Sequence, residues 1–139
     1  MITEMTGGCN CEGVRYRTTG EPVAAAHCQC RTCQRETGTG HSSHVVVPAA
    51  TVTIEGEVRE YRTRSDSGAA TIRGFCPVCG SSLLFRTSSW PEMLFLTAGT
   101  LDDPGRFAPT LVVFTAHAQP WDAMDPALHH FPGMPHADG

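Results

Sequence analysis

Short runs rich in Val, Ile, Thr, Phe and Tyr recur along this chain, and Gly, Pro, Ser and Asp punctuate them. Runs of four to seven such residues predict strands, and the clearest are 14–17, 43–47, 51–55, 58–62, 70–75, 83–86, 93–97 and 111–115. Glu55-Gly56-Glu57, between two of them, predicts a tight hairpin, and 101–105 a surface turn. One short helix is expected over residues 31–37. A second is expected near 122–128, limited by Pro126. Residues 131–139, with two prolines and two glycines, predict an extended or loose tail. The fold class is all-β or β-dominated with short helical turns.

At 139 residues the chain is one domain by length, 1–139, with a modest core that metal crosslinks would help to hold. Net charge is −4, from 10 basic and 14 acidic residues, and no run of Lys and Arg occurs, so no nucleic-acid partner is expected. Residues 1–6 lack a basic segment followed by an apolar stretch, so no signal peptide is expected. Apolar runs such as 111–114 are far too short to span a membrane. A soluble, cytoplasmic protein is the expectation.

Seven cysteines change this picture. They fall as Cys9-x-Cys11, Cys28-x-Cys30-x-x-Cys33 and Cys76-x-x-Cys79, an odd number in close spacings that suit metal better than disulfides. Cys76-Pro77-Val78-Cys79-Gly80 is the most specific motif. Its proline restrains the backbone, its glycine permits a tight turn after the second ligand, and N–H groups there can point at thiolates. Cys9 and Cys11 offer a matching half-site, since residues two apart face one side of an extended chain. Together Cys9, Cys11, Cys76 and Cys79 make a closed, structural zinc site of four thiolates. Cys28, Cys30 and Cys33 supply three more thiolates with no eighth cysteine to complete them, and three ligands with an open position is the pattern of a catalytic zinc. The expectation is two Zn2+ per chain, with iron as the competitor at the four-thiolate site.

A histidine filling the fourth position would instead close the central site, and His27, His41 and His44 are the candidates. His27 neighbours Cys28 and is expected to face the other way. His41 and His44 follow the central cluster past Gly38-Thr39-Gly40 and are candidate pocket residues able to act as acid, base or hydrogen-bond donor, or simply to fill space. Nothing is assigned to His117, His129, His130 or His136.

In their order, Gly8-Cys9-Asn10-Cys11-Glu12-Gly13-Val14-Arg15-Tyr16, His27-Cys28-Gln29-Cys30-Arg31-Thr32-Cys33-Gln34-Arg35, Phe75-Cys76-Pro77-Val78-Cys79-Gly80-Ser81 and Gly99-Thr100-Leu101-Asp102-Asp103-Pro104 resemble the glutathione-dependent formaldehyde-activating enzyme family, whose domain also occurs in centromere protein V. Pro120-Trp121 resembles its C-terminal element. The likeness runs from about residue 8 to 132, leaving 133–139 as the loose tail. It implies a zinc-bearing β-tent-like fold of two packed sheets and the same division into a structural and a catalytic zinc. It also implies carbon–sulfur lyase or synthase activity that joins glutathione, or an analogous small thiol, to formaldehyde or another small electrophile. Where this chain has His41 and His44, relatives more often carry apolar or aromatic residues, so a more polar pocket is expected. The alternatives are a zinc-stabilised binding module for a protein partner and a thiol redox sensor. Self-association is left open.

Overall fold

The computed structural model describes residues 4–65 and 68–135. Eleven strands and one helix follow in the order β1 (Met5–Gly8), β2 (Arg15–Thr18), β3 (Ala24–Cys28), α1 (Arg31–Thr37), β4 (Ser42–Pro48), β5 (Val52–Glu55), β6 (Arg59–Arg64), β7 (Ala70–Phe75), β8 (Ser82–Thr87), β9 (Met93–Thr97), β10 (Leu111–Val113) and β11 (His129–His130). They form two sheets. The small one is antiparallel, in the order β1-β2-β5; the large one runs β11-β10-β3-β4-β9-β8-β7-β6. β10 is parallel to both β3 and β11, and the remaining neighbours of the large sheet are antiparallel. No helix of the described residues is long and apolar enough to cross a membrane.

Each of the eight expected runs forms a strand, and the expected helix spans Arg31–Thr37. Three further strands are present. β1 and β3 read Met-Thr-Gly-Gly and Ala-Ala-Ala-His-Cys, too poor in β-branched residues to show as strands. β11 is a two-residue pairing supplied by the neighbouring strand. Gly56 does not close a hairpin. β5 pairs with β2 and β6 with β7, so the turn passes the chain from one sheet to the other. Its φ of +100° is left-handed, and a Cβ there would lie 2.1 Å from the Gly13 carbonyl oxygen, so glycine is required twice over.

The helix expected at 122–128 does not form among the described residues, where the segment is irregular. Pro126 forbids continuation, and Asp122 is engaged instead with Gln29 and His41. The described part of the tail is also tied down: Phe131 N–H donates to Val112 O and Phe114 N–H to Gly133 O. Residues 136–139 lie outside the described residues.

Strand periodicity divides the large sheet into two faces. Val45, Val47, Leu94 and Leu96 join Val14, Tyr16 and Leu83 in the main core, which also contains Cys9 and Cys76. Val47, Leu83 and Leu96 have no exposed surface, and each such side chain contributes about 1.5–3 kcal/mol by leaving water. The other face carries Ala24, Ala26, Cys28, His44, Val46, Phe85 and Phe95, and the second cluster of cysteines lies beside it.

Candidate metal centres

All seven cysteines are free thiols, gathered into two groups whose sulfurs lie within 4.8 Å of one another. The first is Cys9, Cys11, Cys76 and Cys79. Cys9 Sγ is 3.6 Å from Cys11 Sγ, which is 3.7 Å from Cys76 Sγ. A tetrahedron with metal–sulfur bonds of about 2.3 Å has edges of about 3.8 Å, so the spacing fits a soft divalent cation. A disulfide would need about 2.05 Å.

Both half-sites are tight turns. Glu12 N–H donates to Cys9 O, with Glu12 at a left-handed φ of 66°, so Cys9 and Cys11 converge across a turn rather than along an extended segment. Gly80, at φ 78°, closes the second turn by donating to Cys76 O. Backbone N–H groups are aimed at sulfur: Val14 at Cys9 (3.2 Å), Val78 and Cys79 at Cys76 (3.4 and 3.5 Å). Hydrogen bonds from the Ser81 hydroxyl and backbone bring the Cys79 thiol down to about 5. Donors directed at sulfur stabilise thiolates, the form that binds metal.

The second group is Cys28, Cys30 and Cys33, and among the described residues no His, Asp or Glu joins it. Cys28 ends β3, paired between Ser42 and Val113. Cys30 is the N-cap of α1, its sulfur accepting the Cys33 N–H at 3.3 Å, so one helical turn brings Cys30 and Cys33 together. Hydrogen bonds from Cys28 and Cys30, aided by the Arg73 charge, hold the Cys33 thiol far below its ordinary value. Cys28, next to two sulfurs and partly desolvated, is pushed up by them.

Three supporting residues were not among the candidates read from the sequence. Arg73, on β7, is buried; its Nη1 donates to Glu36 at 2.9 Å, its Nη2 to Cys33 Sγ at 3.6 Å, and its Cζ lies 5.0 Å from the Phe85 ring centre. Three thiolates holding a dication would sum to one negative charge, which this guanidinium would offset. Gln29, 2% exposed, donates to Asp122 O and Oδ2. Gln34 donates to Gln29 O and His117 O, so the ligand loop is fastened to the C-terminal segment. The one available hint was position: Gln29 lies between two of the clustered cysteines.

Arg73→Met is expected to loosen metal retention by the central group about 10–100-fold in chelator competition, the usual cost of losing such a partner. Unfolding in urea should show a loss of about 3–5 kcal/mol, because Glu36, with its side chain 19% exposed, is left without its counter-charge. Arg73→Lys should recover part of both.

The histidines separate. His27 Nδ1 lies 2.7 Å from Ser43 Oγ, and His41 Nδ1 is 2.9 Å from Asp122 Oδ1. His44 is 4% exposed, edge-on to Phe85, and burial brings it down to about 4. It is neutral near pH 7. His44 and Cys28 both line a cavity of about 350 Å³ on the large sheet's second face, whereas His41 does not. Because the rest of that lining is hydrocarbon, thioether and aromatic, the cavity is apolar rather than polar.

No curated protein matches the sequence. The crystal structure of a Rhodobacter sphaeroides protein, a structural-genomics target, is similar at a TM-score of 0.57 and 20% identity, covering 71% of this chain and 89% of that one, a likeness of fold. The family model described as "Glutathione-dependent formaldehyde-activating enzyme" matches residues 4–117, which takes in all three cysteine motifs and leaves Pro120-Trp121 outside. By that match, the chain belongs to the glutathione-dependent formaldehyde-activating enzyme family.

Proposed function

We propose that the chain is a zinc-dependent carbon–sulfur lyase or synthase that adds a small thiol such as glutathione to formaldehyde or a related electrophile, and runs the reverse reaction. The observation that carries this reading is the central group: three thiols with no fourth protein ligand among the described residues, one of them in the wall of a cavity. Family membership supports the reaction class. We assign Cys9, Cys11, Cys76 and Cys79 to a structural zinc and Cys28, Cys30 and Cys33 to a catalytic one, both within a single domain, 1–139. We assign the chain to the cytoplasm, where thiols stay reduced.

Bound by Cys28, Cys30 and Cys33, zinc would lower the pKa of an incoming thiol so that it is a thiolate nucleophile near neutral pH. The residues around the site do the rest. Arg73 offsets the excess negative charge of the ligand set, and Gln29 and Gln34 hold the ligand loop at a fixed position against the C-terminal segment. In the addition, the sulfur attacks the carbonyl carbon; the carbon–sulfur bond forms as the carbon–oxygen π pair moves to oxygen. That oxygen takes up the proton the thiol has lost. His44, neutral and in the cavity wall, is the group we assign to hydrogen-bond this oxygen. Holding thiol and aldehyde side by side removes the entropy of bringing them together.

Exchange spectroscopy of 13C-formaldehyde with glutathione, with and without the zinc-loaded chain, tests this reading. Formation and breakdown of the hydroxymethyl thioether should both accelerate in proportion to protein added. Rates equal to those in buffer would overturn it.

A further inference from the structure

The cavity beside Cys28 is too large and too apolar for formaldehyde. Its volume is about 350 Å³, whereas about 150 Å³ of apolar cavity already accepts benzene, and small-molecule sites begin near about 300 Å³. Formaldehyde has only two heavy atoms. Glutathione carries two carboxylates and an ammonium, and no charged side chain lines the cavity to meet them. Burying those charges unpaired is strongly unfavourable, so the tripeptide does not fill this space.

The shape follows from the sheet register. Ala24 pairs with Val46, Ala26 with His44 and Leu111, and Cys28 with Val113, so one face of β3 is two methyl groups leading to a sulfur. Larger side chains rise on either side: beyond β4, Phe85 of β8 and Phe95 of β9 stack at 4.3 Å with Met93, also of β9, beside them, and on the other side stand Leu111 and Val113 of β10. The two alanines leave the hollow that larger residues on the central strand would fill. Its hydrocarbon walls end at Cys28 and His44, the two groups assigned above to thiol activation and to the carbonyl oxygen.

We propose that this hollow is the specificity site for the electrophile and takes the apolar substituent of an aldehyde, an alkyl or aryl group of about six to ten carbons by comparison with benzene. The inference rests on the carbon–sulfur reaction above and names its substrate class. The step is R–SH plus R′–CHO giving R–S–CH(OH)–R′: one carbon–sulfur bond forms, one carbon–oxygen π bond breaks, and the thiol proton ends on oxygen. No oxidant or reductant is involved. The R′ group lies along Ala24 and Ala26, with its carbonyl carbon at the Cys28 end.

Two measurements on the zinc-loaded full chain test it. Calorimetric titration with the straight-chain alcohols from ethanol to octanol reads binding without chemistry. kcat/KM with glutathione and the aldehydes from formaldehyde to octanal reads the reaction. Both are expected to rise about fourfold per methylene until the cavity is full. Ala26→Phe should flatten both ladders with metal content unchanged, and Ala24→Phe serves if that variant does not fold. Alcohol affinities that do not depend on length, or a kcat/KM for formaldehyde at or above that for hexanal, would overturn the proposal. A steep alcohol ladder with no adduct from any aldehyde would sustain the hollow as an apolar-chain site and overturn the carbon–sulfur reaction. Flat ladders with rapid formaldehyde turnover would do the opposite.

Discussion

Cys76→Ser is expected to remove one metal per chain and abolish cooperative folding. Cys76 is 1% exposed, belongs to the main core, and receives backbone N–H groups from Val78 and Cys79. Its sulfur lies 3.7 Å from that of Cys11, a residue of the N-terminal segment, 65 positions away. A metal held by these four cysteines fastens the small sheet's first hairpin to the β7–β8 connection. Structural zinc binding is worth roughly 10–16 kcal/mol, comparable with or larger than the whole net stability of a domain, roughly 5–15 kcal/mol. A neutral hydroxyl is a poor ligand for a soft cation, so serine forfeits much of this. Elemental analysis and near-ultraviolet circular dichroism check the result. A variant that keeps one cooperative transition, with Tm within about 5 °C of the parent, would show that the fold does not depend on this site.

The second large effect is on activity. Cys30→Ser is expected to empty the central group, leave the chain folded, and reduce turnover on the order of 10³-fold, since metal activation contributes several kcal/mol and each 1.36 kcal/mol is about tenfold. Serine suits this test because Cys30 is the N-cap of α1, where its sulfur accepts the Cys33 N–H. A serine oxygen caps at least as well, so the helix start is preserved while the thiolate is lost. Nor does this group bridge distant parts of the chain, because its three ligands come from one six-residue stretch. Circular dichroism, zinc content and the formaldehyde exchange rate read the three consequences separately. If Cys30→Ser unfolds the chain as completely as Cys76→Ser, the division into a structural and a catalytic centre is wrong.

Cysteine spacing alone made the two pairs and the central three legible, because thiols one or two residues apart in a turn converge whatever the rest of the fold does. The same locality holds for the strands at 43–47 and 70–75, which carry β-branched and aromatic residues, and for α1, which begins directly at the central cysteine loop. Locality fails where the partner decides. β3 is a central strand with an alanine-rich sequence, made extended by pairing with β4 and β10. Glu55-Gly56-Glu57 has hairpin composition, yet its flanking strands find partners in different sheets. Residues 122–128 carry helix formers, but Pro126 and the side-chain bonds of Asp122 leave them irregular.

The histidines show the same boundary within the site. His41 and His44 stand three apart beside the same loop, and neither sequence nor spacing tells them apart. The structure sends His41 to Asp122 and buries His44 against Phe85, in the wall of the cavity. By itself the sequence determined the number of thiols, their local clusters of two, three and two, and the strand-dominated class, all set by residue type and short-range geometry; that the two pairs meet, across 65 positions, is tertiary. Only the tertiary structure decided that Arg73 would lie against Cys33, that Gln29 would be fastened to Asp122, and that two alanines would hollow the sheet face beside Cys28. These depend on strand register and on contacts between residues as many as 93 positions apart, and no local pattern encodes which distant side chain will arrive opposite a given one.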